Sequence, residues 1–345
     1  MELTELIARS VKHNASDLHL CCGEFPRWRR ENTIEIIPGS QKLPHAWFKH
    51  FLSQQITGRL SQLLAEQGHC DFALTSEQGA RVRASFFKQH QGFSLSLRIL
   101  PAEAKDIESL QLPSAFIRLV EGQQGLILIS GATGSGKSTT LTAVIDHLNQ
   151  HYQRHIIMLE DPIEFCHSPG QSLIQQREIG EHVSNLSNGI VSALRQDPDI
   201  IVIGELRDTT TIKLALTAAE TGHLVLATLH STDTTHALQR LVDAFPPHER
   251  DTARQHLAQS LRAVLAQQLR FKAERVSPLY ELLINTNAVG NLIREAKFHQ
   301  LPGQLEQASQ EGMVSFRQSL EQYAKQNSGL LCPTIDKALR TNFPK

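Results

Sequence analysis

An α/β fold is predicted for this chain of 345 residues: a parallel sheet in the larger second part, preceded by a smaller α+β domain. Three observations predict it. After residue 113, four apolar runs (126–130, 156–160, 200–204 and 224–229) are nearly continuous Ile, Leu and Val, as in strands covered on both faces. Helical patterns separate these runs, and right-handed crossovers through helices make the strands parallel. The first run leads straight into Gly131-Ala132-Thr133-Gly134-Ser135-Gly136-Lys137-Ser138-Thr139, a GxxxxGK[ST] loop that opens a helical pattern over 139–148. A glycine-rich loop alone reads as an ordinary turn; between a strand and a helix it reads as a phosphate cradle. The expected fold is a RecA-like P-loop ATPase core with a smaller N-terminal α+β (PAS-like) domain.

In chain order, residues 3–13 read as a helix with Leu3, Leu6, Ile7 and Val11 on one side. Residues 17–20 and 33–37 alternate as strands, the second ended by Pro38-Gly39. Residues 46–66 read as a helix interrupted or bent near Gly58. Strands follow at 71–74, 81–87 and 93–100, with turns around Gly79 and at 89–92. This gives one layer of sheet with helices packed on it, over domain 1–103. A polar connection begins at Pro101, so 104–112 is the linker and 113–326 the ATPase domain. After Pro246-Pro247 the pattern is mainly helical, for example over 253–269, and 327–345 is a polar tail. No internal repeat is present in the sequence.

Composition narrows the function classes. At 40% hydrophobic and 20% charged, with net charge −1, the chain reads as an ordinary soluble globular protein, not one that binds nucleic acid by bulk charge. No apolar run reaches the roughly 18 residues needed to span a membrane. The opening MELTELIARSVKHN is amphipathic, carries Glu2 and Glu5, and lacks the apolar core of a signal peptide. The five cysteines form no CxxC pair, and read as free thiols of a reducing cytosol with no zinc site. Most of the 17 histidines are scattered.

The chemistry is expected at the carboxyl ends of the parallel strands. Backbone N–H groups of the loop can face an anion at a helix N-terminus. Lys137 would reach the β- and γ-phosphates, and the Ser138 hydroxyl would ligate Mg²⁺. The strand 156–160 ends in Glu160-Asp161-Pro162-Ile163-Glu164. Three carboxylates within five residues form either a solvated acidic loop or a site where one orients the attacking water. The strand 200–203 ends in Gly204-Glu205, a Walker B arrangement in which Glu205 would hold Mg²⁺ directly or through water. Asp197 and Asp199 precede that strand and sit at the wrong end for the metal. His223 and His230 bracket the strand 224–229, as a γ-phosphate sensor, a subunit contact or plain structural residues.

The strings GATGSGKSTTL (131–141), LEDPIEF (159–165), ALRQDPDIIVIGELRD (193–208) and LALTAAETGHLVLATLHSTD (214–233) resemble the secretion-ATPase superfamily, the motors of type IV pili and type II secretion. Within it the chain is most similar to the PilT-like pilus-retraction (twitching motility) ATPases. ASDLHL (15–20) and NLIRE (291–295) match as well, and the resemblance covers about residues 1–325. It implies that Glu164 is the general base, Glu205 the Walker B carboxylate, and His223 and His230 a His-box pair. It further implies that Arg83 and Arg98 reach the nucleotide from the first domain. A homo-hexamer follows from the resemblance, with ATP between domains and subunits. So does a cytoplasmic location, peripheral to the inner membrane through a pilus or secretion platform protein. No direct nucleic-acid partner is implied.

Several positions depart from the pattern. Val191 replaces the first arginine of RxxLRxDPD, and Gly290 replaces the arginine of AIRNLIRE. Arg29-Arg30-Glu31-Asn32 stands where a glycine turn is usual. The four-cysteine zinc module of the extension and secretion branch is absent from the sequence. The function expected is an Mg²⁺-dependent ATPase motor for pilus retraction or an accessory step of it. The alternatives are an assembly, secretion or DNA-uptake motor of the same superfamily, or a regulatory nucleotide-binding scaffold. A RecA-like helicase fits less well, without an evident basic, aromatic-rich strand. The chain has no NKxD motif for guanine.

Overall fold

Alternating apolar positions in the first hundred residues build one antiparallel sheet. In this computed structural model, residues 2–31, 33–76, 81–100, 104–272 and 275–326 are described. The turn at Gly79, Asn32, the start of the connection at Pro101 and the polar tail with Cys332 lie outside them. Contacts divide the chain into a first unit, 1–104 with 162–166, and a second, 105–161 with 167–345.

The first unit holds β1 (Asp17–Cys21), β2 (Arg27–Arg30), β3 (Thr33–Ile36), β4 (His69–Thr75), β5 (Arg81–Gln89) and β6 (Gly92–Ile99). Their order is β3-β2-β1-β6-β5-β4, antiparallel throughout. Helices α1 (Leu3–Lys12), α2 (His45–Gln55) and α3 (Gly58–Gln67) cover one face. There Leu18, Leu20, Ala84, Phe86, Leu95 and Leu97 are buried with Leu6, Phe48 and Leu64. The opposite face follows from the two-residue period, and it carries Asp17, Arg29, Arg83 and Arg98 in one cross-strand row. The helix expected over 46–66 with an interruption near Gly58 is two helices: Ile56 (φ −103°, ψ 78°) and Thr57 (φ −116°, ψ 167°) leave the helical region, and Gly58, with φ +53°, opens α3. Strand β2 escapes the sequence pattern: Arg27, Arg29 and Arg30 surround a single buried Trp28.

The second unit begins with α4 (Ser114–Val120), β7 (Gly125–Ser130), α5 (Lys137–His151), β8 (His155–Glu160) and β9 (Leu173–Glu178). Next come α6 (Leu186–Ala193), β10 (Ile200–Ile203), α7 (Thr209–Glu220), β11 (Leu224–Leu229) and α8 (Thr234–Asp243). It ends with α9 (Arg250–Ser260), β12 (Leu261–Lys272), β13 (Arg275–Ile284), α10 (Asn287–Arg294), α11 (Leu301–Gln307) and α12 (Phe316–Gln326). The sheet order is β13-β12-β7-β11-β10-β8-β9, parallel except for the β12–β13 pair. Alternate residues of each strand feed two cores. Leu126, Ile157, Ile201 and Val225 pack towards α6 to α10, while Ile127, Ile156, Ile200 and Leu224 pack towards α4 and α5. Both faces are therefore covered, which explains the unbroken apolar runs.

The helix expected over 253–269 is corrected. Helix α9 ends at Ser260, and Leu261 starts β12, which pairs with β7. Residues 263–267 are all buried, and a buried apolar run has no period that separates strand from helix. β9 was missed for the opposite reason: Leu-Ile-Gln-Gln-Arg-Glu is too polar to announce a strand.

Candidate active site

The parallel sheet puts the ends of β7, β10 and β11 side by side, and their loops build the site. Gly131 follows β7 directly. A Cβ there would collide with Ser135 Oγ and stand 2.6 Å from the Gln267 carbonyl oxygen, so the loop closes only without one. Gly136 caps α5 with φ +90°, which turns the chain from loop into helix. Gln267 on β12, 1% exposed, donates from Nε2 to the Ser135 carbonyl at 2.5 Å and braces the loop from below. No sequence signal singles out Gln267, because the unbroken buried run around it has no period that separates strand from helix. Ala132, Thr133, Gly134 and Ser138 are exposed along the rim, and Thr139 is half-buried.

Lys137 opens α5 and folds back over the loop. Its Nζ donates to the carbonyls of Gly131 at 2.8 Å and Ala132 at 3.0 Å. The same ammonium lies 3.4 Å from Nδ1 of His230, at the end of β11. His230 Nε2 lies 3.4 Å from Glu205 Oε1, and Glu205 Oε2 takes Arg207 Nη2 at 2.7 Å. One tautomer satisfies the chain: Nε2–H faces Glu205 and Nδ1 accepts from Lys137. Burial pulls the Lys137 pKa down and Glu205 opposes it. The Glu205 hydrogen bond and charge, then Asp161, push Arg207 up. The His230 backbone is fixed too, since its carbonyl accepts from Arg240 Nη1 at 2.6 Å. Arg207 and Arg240 were not foreseen as parts of this network.

The donor set suits a nucleoside triphosphate with Mg²⁺. The open glycine loop offers the cradle, Lys137 the charge, and Ser138 and Glu205 hard oxygens. Among the described residues no three His, Cys, Asp or Glu form a metal-holding group. Mg²⁺ held mainly by phosphate oxygens needs only one or two protein ligands.

Other expected residues lie elsewhere. His223 sits at the opposite end of β11, and its Nδ1 is 3.0 Å from the Ala218 carbonyl oxygen. Seven residues of strand make roughly 23 Å between it and His230, so one protomer does not bring the two together. Glu164 is half-buried and belongs to the first unit with 162–166. Arg83 and Arg98 are direct cross-strand partners on β5 and β6. Arg98 Nε bonds Asp17 Oδ1 at 3.1 Å rather than Asp71, a second strand carboxylate of this unit. Asp17 is on β1, the neighbour of β6, whereas Asp71 is on β4, two strands away. Val191 is an exposed apolar residue of α6. Gly290 lies inside α10, where a Cβ would make only ordinary contacts from 3.4 Å outward, so the helix does not require glycine there.

Fold and site together define a RecA-like P-loop ATPase. Residues 62–278 match the family model described as "Type II/IV secretion system protein", and the chain belongs to that family. It is 49% identical over 322 residues to "Uncharacterized protein YggR" of Escherichia coli K12, covering 93% of this chain and 98% of that one. It is 39% identical over 326 residues to "Type IV pilus retractation ATPase PilT" of Pseudomonas aeruginosa, covering 93% of each. The crystal structure of the pilus retraction motor PilT with bound ADP superposes with TM-score 0.89 at 35% identity, over 100% of this chain and 98% of the other. The chain is an ATPase. Among the described residues, no helix is long and apolar enough to cross a membrane.

A half-buried carboxyl supports the site from behind. Glu281 on β13 accepts at Oε1 from Thr234 N at 3.0 Å and Thr234 Oγ1 at 2.8 Å, at the start of α8 and four residues after His230. Burial pushes its pKa up despite these donors. A carboxyl that holds its proton more tightly folded than unfolded loses stability as pH rises above the unfolded value, about 4.3. Glu281→Gln keeps an acceptor for both bonds and cannot ionise. Its melting temperature relative to the parent should therefore rise from pH 5 to pH 8. A difference that stays constant or shrinks would show that Glu281 carries no such penalty.

Proposed function

We propose that the chain is a hexameric, Mg²⁺-dependent ATPase motor that powers retraction of a type IV pilus, or an accessory step of it. The observation that carries this reading is a complete Lys137–His230–Glu205 site on a fold that matches a retraction motor along its whole length. Lys137 neutralises the β- and γ-phosphates, Ser138 and Glu205 hold Mg²⁺, and Glu164 takes the proton of the attacking water. Mg²⁺, when bound, supplies charge stabilisation to the transferring phosphoryl group. Arg83 and Arg98 act on the phosphates from the N-terminal unit. The motor works at the cytoplasmic side of the inner membrane through a platform protein.

A deletion in the host strain tests the reading. Excess surface pili without twitching is the retraction result, and loss of pili would replace retraction by assembly.

Alanine at Arg83 or Arg98 is expected to lower ATP turnover at least about tenfold, as one lost charge-assisted contact is worth about 1.5–3 kcal/mol. Melting should change little. The Arg98 side chain is 67% exposed, and an exposed pair such as Arg98–Asp17 contributes about 0–1 kcal/mol. Unchanged turnover in both variants would take these arginines away from the nucleotide.

A further inference from the structure

The acidic segment after β8 has no regular structure of its own over 163–170, yet its residues 162–166 belong to the first unit by contact. The bond that ties it there is specific. Arg81 Nε donates to the Ile163 carbonyl at 3.0 Å. Arg81 Nη1 also donates to Thr75 Oγ1 at 3.0 Å, so the guanidinium is fixed at two points. The backbone that carries it is fixed as well. Arg81 stands opposite Thr75 in the β4–β5 ladder, and its carbonyl accepts from Leu100 N at 3.0 Å. Ile163 itself is 6% exposed, so its peptide is anchored by its side chain on one side and by the guanidinium on the other.

We propose that Arg81 is the positioning residue of the base: its bond to the Ile163 carbonyl sets the direction in which Glu164 points. The inference rests on the reading of Glu164 as general base. The physical ground is the planarity of the peptide. The Ile163 C=O and the Glu164 N–H lie in one plane, so a donor held on that oxygen fixes the plane from which the Glu164 side chain leaves. A charged donor makes a stronger and shorter bond than a neutral one, and a donor on a sheet is placed more narrowly than one on a loop. Arg81 is also two residues from Arg83 on β5, hence on the same face. The N-terminal unit thus carries the base segment and the Arg83–Arg98 pair on one strand hairpin, and presents them as a set.

The test uses the full-length purified protein and steady-state ATP hydrolysis, with nucleotide affinity read separately by fluorescent ADP. Arg81→Ala should lower kcat about tenfold or more, the scale of a lost charge-assisted bond, and leave KM and ADP affinity within about twofold. Arg81→Lys, which keeps a charged donor, should recover part of kcat. In a Glu164→Gln background, Arg81→Ala should cost nothing further, because a residue that acts through Glu164 has nothing left to position. An unchanged kcat in Arg81→Ala overturns the proposal. So does an equal additional loss in the Glu164→Gln background. If Arg81→Ala does not fold, Arg81→Gln carries the same comparison with one neutral donor. Glu164→Gln alone separates the two failures: a parent rate there removes the base assignment, whereas an inactive Glu164→Gln with a fully active Arg81→Ala removes only the positioning role.

Discussion

Replacing Lys137 by alanine is expected to reduce ATP hydrolysis by about 10³-fold or more, to the background of the assay. One preorganised donor to developing charge is worth about 10²–10³ in rate, and Lys137 also supplies binding charge to the β- and γ-phosphates. The structure adds a reason why the loss should be confined to function. The Lys137 ammonium bonds the Gly131 and Ala132 carbonyls, which face the open loop, and its pKa is lowered mainly by burial. The loop itself is braced independently by Gln267 through the Ser135 carbonyl. Loss of the lysine bonds should therefore cost only about 1–2 kcal/mol and a few degrees of melting temperature. Turnover assays, nucleotide binding and thermal melts on the same preparation check this. A variant that hydrolyses ATP at the parent rate would remove the phosphate-cradle assignment, and a variant that fails to fold would show Lys137 to be structural.

What was legible in the sequence was local. The β7–loop–α5 unit is contiguous, Gly131 stands where a Cβ cannot fit, Gly134 and Gly136 take φ +76° and +90°, and Glu205 closely follows four buried aliphatic residues. The same holds for the Arg83–Arg98 hairpin, whose short turn fixes which residues face each other. What was not legible depended on long-range contacts or on strands without a period. Gln267 reaches the loop from 132 residues away on a strand buried on both faces, where the apolar pattern reads equally as helix. Asp17 rather than Asp71 meets Arg98 because β1, not β4, adds beside β6, and strand order is not written in any one segment. The separation of His223 from His230 follows from strand direction alone and could have been inferred: residues at opposite ends of a parallel strand cannot share one cradle.

Glu164→Gln is expected to keep ATP binding and lower turnover about 10²-fold or more, the scale for a lost general base. Of the three carboxylates at and just after the end of β8, two have other engagements. Glu160 Oε1 accepts from Gln176 Nε2 at 3.0 Å. Asp161 is exposed, and its charge contributes to holding Arg207 protonated. Glu164 is half-buried on the peptide that Arg81 grips. The amide of glutamine fills nearly the same volume and keeps one acceptor oxygen, but it cannot take a proton, so a fall in rate cannot be ascribed to lost packing. Single-turnover hydrolysis separates chemistry from product release, and it should show the defect in the chemical step. Glu205→Gln provides the contrast. Its carboxylate faces His230 and Arg207 beside Lys137, and its loss should instead raise the Mg²⁺ concentration needed for half-maximal rate. If Glu164→Gln hydrolyses ATP at the parent rate in a single turnover, the base lies elsewhere. Glu160 is then the first residue to replace, because it ends β8 at the same edge of the sheet as Glu205.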